Sequence, residues 1–231
     1  MKAPVQYEFA ADVAAVTMDD GKVNALSPAM QQQLNAALDR AERDGAKAVV
    51  VAGNARTFSA GFDLSVFAAG DVAAGLAMVR GGFELAVRWL TFPVPVVLAV
   101  TGPAVAMGAM LLTAGDYRVG SSASRCHANE IAIGMTMPAA AVELMRMRLS
   151  PSAFQLANSM ATPFSGEAAV AAGWLDECVA PDRVLDRARQ VAAEAAGLNL
   201  RAHRASKLKA RAAALAAIRA GIDQLPGEIG R

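Results

Sequence analysis

The chain has 231 residues, 55% of them hydrophobic and 19% charged, and its formal net charge is +1 from 22 Lys+Arg against 21 Asp+Glu. That length and mix suit one folded domain rather than a disordered chain, and the balanced charge excludes a global field that would recruit nucleic acid or a membrane surface. Cys126 and Cys178 are too few and too far apart for a disulfide framework and no CxxC metal pair occurs, so a reducing compartment is expected.

The N-terminal Met1-Lys2-Ala3-Pro4-Val5 lacks the apolar run of a signal peptide, which makes the cytoplasm the expected location. No apolar stretch approaches the roughly 20 residues needed to span a bilayer. Residues 5–9 and 13–18 alternate as two short strands of a hairpin. Ser27-Pro28 then supplies an N-cap and a first-turn proline, and Met30, Leu34, Ala37, Leu38 and Ala41 recur at helical spacing up to about Asp44-Gly45.

Residues 47–52 read as a buried parallel strand, 72–90 as a helix with Gly81-Gly82 as its weak point, and 93–100 as a second buried strand. A helix over 107–114, closed by Gly115, and a strand over 117–120 follow. Beyond Pro138 the pattern turns helical: from Ser150-Pro151 to about Ala161, from Ser165 to Gly173, from Pro181-Asp182 to Ala196-Gly197, and a basic helix from about Arg201 to Gly221. This order implies an α/β fold in which the loops after Ala52, Val100 and Gly120 gather at one edge. A core over 1–182 and a helical region over 183–231 are expected, without a second independent domain.

The loop after the first buried strand runs Gly53-Asn54-Ala55-Arg56-Thr57-Phe58-Ser59-Ala60-Gly61-Phe62-Asp63-Leu64. Its small residues let backbone N–H groups approach a ligand; a tight surface turn explains the same residues. The stretch Thr101-Gly102-Pro103-Ala104-Val105-Ala106-Met107-Gly108 puts small residues where a strand becomes a helix N-terminus, where free N–H groups and the helix dipole favour negative charge.

Phe58-Ser59-Ala60-Gly61-Phe62-Asp63-Leu64, followed by Gly102-Pro103-Ala104 through Gly108 and a helix ending at Asp116, resembles the crotonase, or enoyl-CoA hydratase/isomerase, family. The resemblance continues through Asn129-Glu130-Ile131, Gly134, Pro138 and Ala168 to Asp176. It implies a spiral of ββα units with a C-terminal helical region, assembled as a homotrimer or a dimer of trimers, that binds acyl-CoA thioesters without a metal or a redox cofactor. It places the oxyanion donors at Ala60 and Met107, where the family usually has glycine at the second position; a methionine can still offer its peptide N–H. One of the family's two hydratase glutamates falls on Met110, which can neither hold a water nor transfer a proton, and the other falls on Glu130. A single carboxylate is enough to move a proton along an enoyl chain, whereas adding water conventionally engages two groups. Asn129-Glu130 also looks like the pair of the isomerase branch, which favours isomerisation over hydration and over a binding protein without turnover.

Arg56, Lys22 and the cluster Arg201, Arg204, Lys207, Lys209 and Arg211 are candidates for the CoA phosphates, with a plain solvated face as the alternative for the cluster. Ser59, Asp63, Leu64 and Met110 are further candidate substrate contacts, Asp63-Leu64 at the adenine side by resemblance. Glu84, Asp71 and Glu143 are reserve carboxylates, and Met107, Met110, Met135, Met137, Met145 and Met147 are candidates for an acyl tunnel or for ordinary core. Cys126-His127 is no nucleophile pair, because neighbours in an extended segment point to opposite faces.

Overall fold

The computed structural model describes residues 3–229. The chain opens with a hairpin, β1 (Val5–Ala10) and β2 (Val13–Met18), and continues through α1 (Pro28–Arg43), β3 (Ala48–Ala52), α2 (Leu64–Ala68), α3 (Val72–Thr91), β4 (Val96–Ala99), β5 (Ala104–Val105), α4 (Met107–Ala114), β6 (Tyr117–Gly120) and β7 (Arg125–His127). It ends with α5 (Ala139–Arg148), α6 (Pro151–Met160), β8 (Phe164–Ser165), α7 (Gly166–Ala172), β9 (Glu177–Cys178), α8 (Val184–Ala196) and α9 (Leu200–Ile229). Among the described residues no helix is long and apolar enough to cross a membrane.

The main sheet has the order β1-β2-β3-β4-β6-β9, and only the β1/β2 pair is antiparallel. Its central strands read as unbroken apolar runs because both faces are covered. Val49, Val51, Val96 and Leu98 face α1, α3 and α4, whereas Val50, Val97, Ala99 and Val119 face Val184, Ala188 and Ala192 of α8. A smaller sheet, β5-β7-β8, stands beside it. The expected α/β architecture is the observed one.

The C-terminal region differs in extent. Helix α9 runs past Gly221 to Ile229, and it lies against α3 and α5 with Ile218, Ile222 and Leu225 in the common core. A Cβ on Gly221 would stand 2.4 Å from the Ala140 backbone nitrogen, so glycine there lets the two helices close. Pro226 removes the N–H that would bond the Ile222 carbonyl, and Arg80 Nη2 donates to that carbonyl instead, at 3.3 Å. Because α8 covers one face of the main sheet and α9 closes the other layer, the boundary at 182/183 does not separate two hydrophobic cores.

The glycine pair in α3 is a contact surface, not a weak point, and the helix is continuous through it. A Cβ on Gly81 would stand 2.3 Å from Gln31 Oε1, and one on Gly82 would stand 2.5 Å from Phe62 Cε1. Both positions admit a neighbour that no larger residue could.

Candidate functional site

The loops after β3 and β4 are laced together. Phe58 N–H and Thr57 Oγ1 both donate to the Pro103 carbonyl at 2.9 Å, Val105 N–H donates to the Ser59 carbonyl at 2.9 Å, and Thr101 Oγ1 donates to the Asn54 carbonyl at 2.7 Å. A Cβ on Gly108 would lie 2.4 Å from the Ser59 carbonyl oxygen, so the first turn of α4 sits directly on the first loop. Ala106 caps α4 with φ 50° and ψ −129°, a backbone conformation that an L-residue holds only at a cost of about 1–3 kcal/mol. Its N–H donates to the His127 carbonyl at 2.9 Å, which brings the segment after β7 to the same place. In the loop after Gly120, Ser124 Oγ donates to the Val100 carbonyl, so the three loops gather as the strand order implies.

A third strap fixes the first loop from outside. Asn24, fully buried at φ 52°, donates to the carbonyls of Met18, Thr57 and Phe58, and Asp20 accepts from the N–H groups of Lys22, Asn24 and Ala25. Ala60 N–H donates to the Val23 carbonyl at 2.9 Å. That bond corrects the expectation for Ala60: its N–H already has an acceptor. Three residues beyond Val23, Leu26 N–H donates to the Gly61 carbonyl at 2.8 Å. A trans peptide points its C=O and N–H in opposite directions, so this bond turns the Phe62 N–H away from the strap. Gly61, at φ 89°, lies with its Cβ direction 3.2 Å from Met107 N. Among the described residues the Phe62 and Met107 N–H groups have no acceptor, and both belong to this junction. Two such donors can hold an oxygen on which negative charge develops.

Glu130 follows β7 by three residues, within about 10 Å of the His127 carbonyl that binds Ala106. It is 9% exposed, its Oε2 has no hydrogen-bond partner, and burial pushes its pKa above the ordinary 4.5, with a smaller opposing pull from its own backbone N–H. Asn129 Oδ1 is likewise buried without a partner. Its apolar neighbours Ile131, Ile133 and Met135 are exposed, so they do not supply the burial. Met110 is 1% exposed inside α4 and brings no polar group. Among the reserve carboxylates Asp71 caps α3, Glu143 pairs with Arg146 and Glu84 is exposed.

Other expected contacts have structural partners. Ser59 is fully buried, its Oγ donating to the Asn24 carbonyl and accepting from Gly61 N–H, so it shapes the turn without facing a ligand. Asp63 caps α2, accepting from Ser65 N–H and Oγ, and Leu64 beside it is exposed. Arg56 is exposed at the rim with Nη2 donating to the Gly21 carbonyl at 3.2 Å. Lys207 requires a correction: its ammonium is buried, 2.6 Å from Asp116 and 3.2 Å from the Phe92 carbonyl, and does not reach solvent where phosphates would lie. Arg211 joins the same Asp116, while Arg201 and Arg204 are exposed. Burial pushes the Cys126 thiol up to about 12, and His127 Nε2 is bonded to the Ala161 carbonyl, so neither is poised for attack. Met137 and Met145 are core, and Met135 is exposed. No group of three or more His, Cys, Asp or Glu side chains placed to hold a metal ion occurs among the described residues.

Phe62 is the residue that sequence reading misses. The motif marks the turn, but which of its N–H groups stays free depends on Val23 and Leu26.

The profile of the enoyl-CoA hydratase/isomerase family matches residues 8–226. A protein of Thermus thermophilus named as an enoyl-CoA hydratase is 35% identical over 193 residues, covering 80% of this chain and 74% of its own length. A solved structure from Mycobacterium tuberculosis superposes with a TM-score of 0.96 at 54% identity, covering 99% of this chain and 100% of that one; it is described as an enoyl-CoA isomerase, and a second structure of the same protein is described as an enoyl-CoA hydratase. The human mitochondrial Δ3-Δ2-enoyl-CoA isomerase, at 22% identity and a TM-score of 0.92, shares the fold. The chain belongs to the enoyl-CoA hydratase/isomerase, or crotonase, family.

Proposed function

We propose that this protein is an enoyl-CoA isomerase that moves a double bond from carbon 3 to carbon 2 of an acyl-CoA thioester. The observation that carries this reading is Glu130, a buried carboxylate with a free oxygen beside the donor junction, while the position of a second acid holds the buried Met110. Glu130 removes a proton from carbon 2, and the electron pair delocalises onto the thioester oxygen and carbon 4. The Phe62 and Met107 N–H groups stabilise that oxygen, each contributing on the order of 3 kcal/mol. The protonated Glu130 then delivers the same proton to carbon 4, leaving a 2-enoyl thioester. The scheme is proton transfer alone and enlists neither a metal nor a redox cofactor.

Arg56, Lys22, Arg201, Arg204 and Lys209 are the exposed candidate cations left for the CoA phosphates in this reading. A homotrimer or dimer of trimers belongs to it, supported by exposed Ile131, Ile133 and Met135 on a segment packed against α6, whose Leu156 and Met160 are also exposed. Hydration is the second reading, favoured by the name of the Thermus relative. Replacing Glu130 by Gln should lower isomerisation of a 3-enoyl-CoA by at least about a hundredfold while CoA thioester binding persists. Near-normal turnover would remove Glu130 from the mechanism.

A further inference from the structure

The donor turn is held by groups on α1 and α3. Gly82 of α3 gives the Phe62 ring its seat: a Cβ there would stand 2.5 Å from Cε1 and 2.7 Å from Cζ, and 3.4 Å from Met107 Cγ. Phe83 meets the same ring edge-on, with centroids 6.5 Å apart and planes at 70°. The half-buried ring fills the space over Gly82, so a methyl group there would have to displace it. On the other side of the turn, Gln31 Nε2 donates at 2.9 Å to the carbonyls of both Leu26 and Met78, and Leu26 is the residue whose N–H fixes the Gly61 carbonyl. Gln31 is 6% exposed and fits because Gly81 lacks a side chain.

We infer that Gly82 and Gln31 are positioning residues: α3 fixes the Gly61–Phe62 peptide from two sides, directly through the Phe62 ring over Gly82, and through its Met78 carbonyl, which the α1 residue Gln31 links to Leu26. The inference rests on the reading of Phe62 N–H as a donor to the thioester oxygen. A donor works only within about 0.5 Å of its productive place, so a neighbour that shifts the ring acts on turnover before it acts on substrate affinity.

The test compares wild type, Gly82→Ala, Gly82→Ala with Phe62→Leu, and Gln31→Met by steady-state kinetics on a 3-enoyl-CoA. The infrared carbonyl band of bound crotonyl-CoA, labelled with carbon-13 at carbon 1, is recorded for the same proteins, because donors shift that band to lower frequency whether or not turnover follows. Gly82→Ala should lower kcat at least tenfold with KM within threefold, leave the pH profile unmoved and reduce the carbonyl shift. Phe62→Leu in that background should recover part of both, since the smaller side chain vacates the clash. Gln31→Met should lower kcat severalfold and reduce the shift in the same sense, and it tests the peptide from the other side if Gly82→Ala does not fold. A full carbonyl shift with kcat within twofold of wild type in the folded variants would overturn the positioning role alone. Absence of the shift in wild type would overturn the donor reading and this inference with it. A wild-type shift without turnover would contradict the isomerase reading and leave the positioning role to be decided by the shift in the variants.

Discussion

Lys207 Nζ lies 2.6 Å from Asp116 Oδ2, with 3% of the lysine side chain and 14% of the aspartate exposed. The same carboxylate accepts from Arg211 at 2.9 Å and from Val96 N–H at 2.8 Å, so it ties α9 to β4 just beyond the end of α4. Removing it leaves the buried Lys207 and the half-buried Arg211 without a counter-charge, each with only a backbone carbonyl. Asp116→Ala should therefore lose about 3–5 kcal/mol of stability in denaturant unfolding. Lys207→Met, which keeps Arg211 on Asp116, should cost less and leave KM for the CoA thioester unchanged within about twofold. A large rise in KM would restore Lys207 to the phosphate site.

Glu130 predicts a pH dependence with a definite sign. Its folded pKa is raised by burial above the ordinary 4.5, so the folded state holds its proton more tightly than the unfolded chain does. That contribution to stability is complete below 4.5 and is lost as pH rises through the folded pKa, where the buried carboxylate must ionise. Glu130→Gln should thus melt close to wild type at pH 4 and above wild type at pH 8, as read by thermal unfolding. The acid limb of kcat/KM should likewise lie above the ordinary carboxylate range, because the base works ionised.

Met110 offers a gain-of-function test. A carboxylate introduced by Met110→Glu would enter a site that is 1% exposed and should cost about 2–3 kcal/mol of stability. With Glu130 it would form the pair that water addition conventionally uses, and hydration of crotonyl-CoA should rise above the wild-type rate while isomerisation falls. Unchanged hydration in a folded variant would mean that residue 110 does not face the reacting carbons.

Gly108 tests the junction itself. Its Cβ direction meets the Ser59 carbonyl at 2.4 Å, so Gly108→Ala must push α4 off the first loop. We expect kcat to fall at least about tenfold, since each donor contributes 10²–10³ when correctly placed. Affinity for a CoA thioester should change less, and calorimetry on the same preparation separates the two.

The order of the main-sheet strands up to β6 and of most helices is legible in the sequence because the central strands are apolar runs and helices carry caps such as Ser27-Pro28, whereas α2 and α5, neither opened by a Ser-Pro pair, are not singled out. The meeting of the two loops is legible from their place after parallel strands. Strands β5, β8 and β9 are not, since two residues have no periodicity to show. Ala60 and Lys207 mark the deeper limit. Whether an N–H is free, or an ammonium is in solvent, is decided by Val23 and Asp116, partners distant in the chain that no local pattern encodes. Gly81-Gly82 reads as a helix flaw for the same reason, because the Gln31 amide and the Phe62 ring that fill the space come from other elements.

The most direct measurement presents the purified protein with a 3-enoyl-CoA and with crotonyl-CoA under the same conditions, following formation of the conjugated 2-enoyl thioester in one cuvette and its loss by hydration in the other. For an isomerase, kcat/KM for isomerisation should exceed that for hydration by at least about tenfold, and Glu130→Gln should abolish the larger activity. Hydration equal to or faster than isomerisation would contradict the isomerase reading.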